Sequence, residues 1–162
     1  MKSTTLNDIK KEINQLSARE LAELFLLLAK FKKENKEYLS YLLFESHNKR
    51  ALLEEIKVEI KGMVIDFNGH YFRYEFKKKL RKLKAFLSKY NKFLNDKALS
   101  IEMHLYLCQV LKEYDYPYIK YGIPDVFFGQ QIKKINTLLK GLHEDLRYDY
   151  GRQLEVLLDD TN

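Results

Sequence analysis

Apolar residues along this chain recur at helical intervals. Phe76, Leu80, Leu83, Leu87, Tyr90 and Leu94 step by 4, 3, 4, 3 and 4, one seam along a helix. Leu53, Ile56, Ile60, Met63 and Phe67 step by 3, 4, 3 and 4 and predict a helix over about 49–66. Asn68-Gly69 stops it. Both flanks have helical rather than alternating periodicity, so Asn-Gly is read as the turn of an αα-hairpin, not of a β-hairpin.

The same reading extends to both ends. Thr4 or Thr5 caps a short first helix with Leu6, Ile9, Ile13 and Leu16 on one face. Ser17-Ala18-Arg19-Glu20 fits a capping box, in which the Ser hydroxyl and the Glu carboxylate each satisfy a free backbone amide. A second helix follows with Leu21, Leu24, Phe25, Leu28 and Phe31. A third carries Tyr38 and Leu42 and ends at Ser46-His47-Asn48. Asn95-Asp96-Lys97 opens a helix over 98–114 that is apolar around most of its girth, the pattern of a central bundle helix. Asp115 to Pro124 is the one long irregular connection, and both prolines lie in it. From Asp125 the positions Phe128, Ile132, Ile135, Leu139, Leu142, Leu146 and Tyr150 are again helical, with bends allowed at Gly141 or Gly151. Residues 159–162 read as a frayed tail.

No strand pattern survives. The expectation is all-α: an antiparallel bundle of seven or eight helices in a single domain over 1–162, with a short α-solenoid of helix pairs as the alternative. Only 6 Gly and 2 Pro agree with long helices, and 46% hydrophobic residues supply a core. A single cysteine, Cys108, excludes an internal disulfide. The longest purely apolar run, Leu24 to Ala29, is far short of the ~20 residues of a membrane span. The opening residues lack the apolar stretch of a signal peptide, so a cytoplasmic location is expected.

Charge adds one feature. The net charge is +6, and between Arg73 and Lys92 nine Lys or Arg residues accompany one acid, Glu75. Arg73, Lys77, Lys78, Arg81, Lys82 and Lys84 form stripes that can follow a phosphate backbone. Alternatively they are a solvated face balanced by acids such as Glu54, Glu55, Glu59, Glu144, Asp145 and Asp149. No helix-turn-helix, zinc-finger or RNA-binding signature accompanies them.

Candidate chemistry is sparse. His104 and Cys108 stand at i and i+4, a spacing open to two zinc ligands, but no further ligand motif exists. A core-facing pair, with Cys108 an inert thiol, is the simpler reading. His143-Glu144-Asp145 lacks the second His of a zinc protease motif. Tyr116, Tyr118 and Tyr121 cluster around Pro117 and either staple the loop or form an aromatic contact surface. No catalytic residue, cofactor or metal site is predicted.

The stretches Lys36-Glu37-Tyr38-Leu39-Ser40-Tyr41-Leu42-Leu43-Phe44-Glu45, Lys77 to Leu87, and Leu142-His143-Glu144-Asp145-Leu146-Arg147-Tyr148-Asp149-Tyr150 together resemble a family of short, all-helical bacterial proteins of uncharacterised function. The resemblance implies a cytoplasmic helical protein and supplies no catalytic residue. The expected role is a non-enzymatic module that binds a protein partner or forms a homodimer. Electrostatic nucleic-acid binding through the basic helix over 73–92 is the alternative.

Overall fold

Capping chemistry sets where the helices begin. In the computed structural model, which describes residues 4–66, 73–113 and 123–159, Thr5 and Asp8 exchange side-chain and backbone hydrogen bonds at the start of α1 (Leu6–Ile13). Ser17 and Glu20 do the same for α2 (Ala18–Phe31): the Glu20 amide donates to the Ser17 hydroxyl at 3.3 Å, and the Ser17 amide donates to the Glu20 carboxylate at 2.8 Å. Lys32 adopts an extended conformation and separates α2 from α3 (Lys33–Ser40). The Asn35 side chain donates to the Leu28 carbonyl at 2.9 Å across that break. α3 widens into a π-helical turn, Tyr41–Glu45, closed by the Ser46 amide on the Tyr41 carbonyl.

Asn48 caps α4 (Lys49–Ile65) by accepting from the Ala51 amide at 3.1 Å. α5 runs Arg73–Leu94. Asn95, at φ 41°, takes the left-handed conformation that ends it. Asp96 then accepts from the Leu99 amide and starts α6 (Lys97–Glu113). α7 (Ile123–Leu139) and α8 (Glu144–Asp159) complete the chain. The break between these two falls at Gly141, where a Cβ would lie 2.3 Å from the Lys97 ammonium that donates to the Gly141 carbonyl.

The chain divides into two compact units, Met1–His47 and Asn48–Asn162. The first holds α1 to α3 and the π turn. Tyr41 is its one fully buried residue among those described.

The second unit packs α4 to α8 as a bundle. α6 lies at its centre and touches α4, α5, α7 and α8. Nine of its residues are buried, Ser100 and His104 among them. That arrangement excludes the solenoid alternative, in which each helix pair contacts only its sequence neighbours. The seam of α5 points inward at Leu80, Leu83, Leu87 and Leu94. Ile101, Leu105 and Cys108 of α6 join Ile135, Leu139, Tyr150, Leu154 and Leu157 in one cluster.

The all-α expectation holds, with no strand among the described residues. The C-terminal region breaks at Gly141, one of the two bends the sequence allows. Three details differ. Asp159 belongs to α8 rather than to a frayed end. α7 buries Phe127 and leaves Phe128 only half-buried. Leu146 is exposed. The turn at Asn68-Gly69, the tyrosine loop and residues 160–162 lie outside the described residues. No described helix is long and apolar enough to cross a membrane.

Candidate functional site

The outward face of α5 carries the predicted cations. Lys77, Lys78, Arg81, Lys82 and Lys84 are all exposed; Arg73 opens α5, with its side chain outside the described residues. Of the acids expected to balance them, Glu55 and Glu59 of α4 line a shallow pocket with Lys89 of α5, and others form pairs away from the five cations. Glu54 pairs with Lys57 at 2.8 Å, Glu102 with Arg50 at 2.5 Å and Glu113 with Lys61 at 3.8 Å. Lys79, half-buried at the start of the seam, pairs with Asp66 at 2.9 Å. No described carboxylate pairs with Lys77, Lys78, Arg81, Lys82 or Lys84, and Arg81 instead donates to the Lys77 carbonyl of its own helix.

Lys84 turns away from that face. Its ammonium donates to the Gln130 side-chain carbonyl at 3.2 Å and lies 5.3 Å from the centre of the Phe127 ring on α7. It forms one end of a groove of about 410 Å³ between α5 and α7, floored by α6. Lys92 and Lys134 line the same groove, with Ser88, Asn91, Gln130 and Gln131. Among the described residues no carboxylate lines it.

The floor is a polar relay. Asn91 donates from its Nδ2 to the Leu87 carbonyl at 2.9 Å and to His104 Nε2 at 3.0 Å. An accepting Nε2 assigns the ring proton to Nδ1, which donates to Gln131 Oε1 at 2.8 Å. Gln131 in turn donates to the Phe127 carbonyl at 3.3 Å. Three helices are tied together by side chains whose hydrogen-bond directions all agree. Burial pulls the His104 pKa down to about 4 despite the Gln131 hydrogen bond, and the nearby Lys134 charge adds to the effect. Both ring nitrogens of His104 are taken up in this relay, and burial favours its neutral form.

This predicts an acid weakness. The unfolded imidazole takes a proton near pH 6.5, the folded one only near 4. Between those values the unfolded state holds more protons, so stability is fully present above 6.5 and falls as pH drops towards 4. The slope is about 1.4 kcal/mol per pH unit, for a total on the order of 3 kcal/mol. Urea denaturation of wild type minus that of His104→Gln, measured across this window, isolates the contribution. A difference that does not change with pH would rule it out.

Cys108 is fully buried, and burial pushes its thiol up to about 12, so it is unreactive. A second shallow pocket is lined by Arg50, Glu102 and Tyr150, and the Tyr150 hydroxyl donates to Glu102 at 2.8 Å. Burial and then this bond push the phenol up to about 12. Arg50 and Glu102 neutralise one another there. Asp145 and Asp149 are exposed, and His143 reaches Asp145 at 3.4 Å. No group of three or more metal-ligating side chains occurs among the described residues.

Sequence reasoning missed the groove. Its signals were Gln131, a polar residue at i+4 from Phe127 and i−4 from Ile135 on a buried stripe, and His104 inside the most apolar helix. Lys92 and Lys134 gave none, because only the fold brings α5 and α7 together.

The first unit presents a different surface. Leu24, Phe25, Leu26, Leu27, Leu28 and Phe31 of α2 are between 44% and 75% exposed. Leu6, Leu43 and Phe44 are likewise exposed. No protein-family profile, curated protein or solved structure matches this chain.

Proposed function

We propose that this protein is a non-enzymatic helical interaction module that self-associates, with α2 as its contact helix. The observation that carries the reading is the exposed set Leu24, Leu27, Leu28 and Phe31, which share one side of α2, with Phe25 and Leu26 also exposed. Isolated exposed apolar residues are ordinary, but a contiguous patch of large ones marks an interaction surface. Charge along α2 favours a second copy as the occupant. Glu20 and Glu23 lie at its start, and Lys30, Lys32 and Lys33 at or just beyond its end. An antiparallel copy brings each acidic end against a basic end, and a two-fold axis makes the patch its own complement. The Arg19–Glu23 pair is exposed and contributes little against such an arrangement. A cytoplasmic location fits this role. Nucleic-acid binding through the α5 face draws support from its bare cations, yet nothing in that face selects a polymer.

Sedimentation velocity over a concentration series tests the reading. Wild type is expected to dimerise, and Leu27→Glu/Phe31→Glu is expected to sediment as a monomer with an unchanged thermal transition. A wild-type monomer throughout the series overturns self-association. A monomer that floats with anionic vesicles overturns it too and assigns α2 to a membrane surface.

A further inference from the structure

We infer that the groove between α5 and α7 is a binding site for a compact polyanion of the phosphate class, a ligand carrying two or more phosphate groups. This is independent of self-association, which concerns the other unit. Lys84, Ser88 and Lys92 recur every four residues along one wall, spanning roughly 12 Å of helix. Gln130 and Lys134, again four apart, face them from α7. Three lysines therefore line one concavity that no described carboxylate lines. Lysine is a rotatable point charge suited to phosphate oxygens. The Ser88 hydroxyl and the Gln130 amide nitrogen add neutral donors on the two walls.

The floor makes this a built site rather than a patch of surface lysines. Gln131 is 6% exposed and His104 is 3% exposed, and their bonds to Asn91 and Phe127 hold the base of the groove in one arrangement. The imidazole stays neutral, so the positive charge sits on the rim. An anion in the groove meets three lysines of like charge, whereas a cationic ligand is repelled by them. The volume, about 410 Å³, admits a small phosphorylated molecule and is too small for a duplex.

Titration of the full chain with inorganic pyrophosphate, followed by calorimetry and by the His104 ring proton signals, tests the inference. Saturable one-to-one binding that shifts the His104 signals is expected at ~100 mM salt, where diffuse surface attraction is largely screened. Lys92→Gln/Lys134→Gln should weaken it by about tenfold or more. Lys78→Gln/Lys82→Gln removes the same charge from the outer face of α5 and should leave affinity unchanged. Thermal transitions of both variants check that each is folded. Absence of saturable binding overturns the site, and equal weakening by the two double variants assigns the attraction to net charge instead.

Discussion

Replacing Ile135 with Asp is expected to leave no cooperatively folded second unit. Ile135 is fully buried in the cluster that joins α6, α7 and α8 through Ile101, Leu105, Cys108, Leu139, Tyr150, Leu154 and Leu157. The substitution removes an aliphatic side chain, which alone costs about 2–5 kcal/mol at such positions. It then places a carboxylate where none of those neighbours carries a compensating cation. The two effects together approach the whole stability of a typical domain, roughly 5–15 kcal/mol. Circular dichroism melting and amide NMR dispersion are the measurements. Ile135→Val, expected to cost about 0.5–1.5 kcal/mol, controls for packing alone. Soluble Ile135→Asp protein with a sharp transition would mean that α7 turns a different face to the bundle.

The parts of the fold legible in the sequence were those where one physical rule acts alone. Steps of three and four residues placed the α5 seam, and Leu80, Leu83, Leu87 and Leu94 are buried as the steps require. Ser17 and Glu20 marked a helix start by local chemistry that needs no tertiary partner. The apolar girth of α6 foretold its central place. The reading failed where two rules competed. On α7 the buried stripe is Phe127, Gln131, Ile135 and Leu139. A polar residue in that stripe diverted the pattern to Phe128 and Ile132, which are half-buried. Gln131 is inside because His104 gives it a hydrogen-bond partner, and that pairing spans 27 positions in sequence. The site is a product of the same long-range contacts. Nothing local connects Lys92 with Lys134.

The first unit illustrates a different limit. Periodicity says that a stripe is apolar, not what covers it. Leu24, Phe25 and Leu28 match a helix seam as well as the α5 residues do, yet they stay exposed. The sequence rule presumes an occupant within the chain. For α2 the proposed occupant is a second copy.

Leu83→Ala is expected to destabilise the second unit by roughly 2–5 kcal/mol while leaving its binding chemistry in place. Leu83 is fully buried at mid-seam on α5, the helix that touches both α4 and α6. Removing its three distal carbons opens a cavity between helices that cannot collapse without moving α5 as a whole. At about 2–4 °C per kcal/mol for a chain of this size, the transition should drop by roughly 10 °C. Lys78→Ala, a few residues away on the solvent side, should change stability by less than about 0.5 kcal/mol. An unchanged Leu83→Ala transition would show that the seam is not a load-carrying contact within this unit. The variant also separates stability from recognition. Leu83 does not line the groove, whereas Lys84 beside it does. Below its transition the Leu83→Ala protein should therefore bind pyrophosphate as wild type does. Weaker binding at a temperature where the variant is fully folded would mean that the groove depends on the exact seating of α5, with the cavity shifting Lys84, Ser88 and Lys92 as one body.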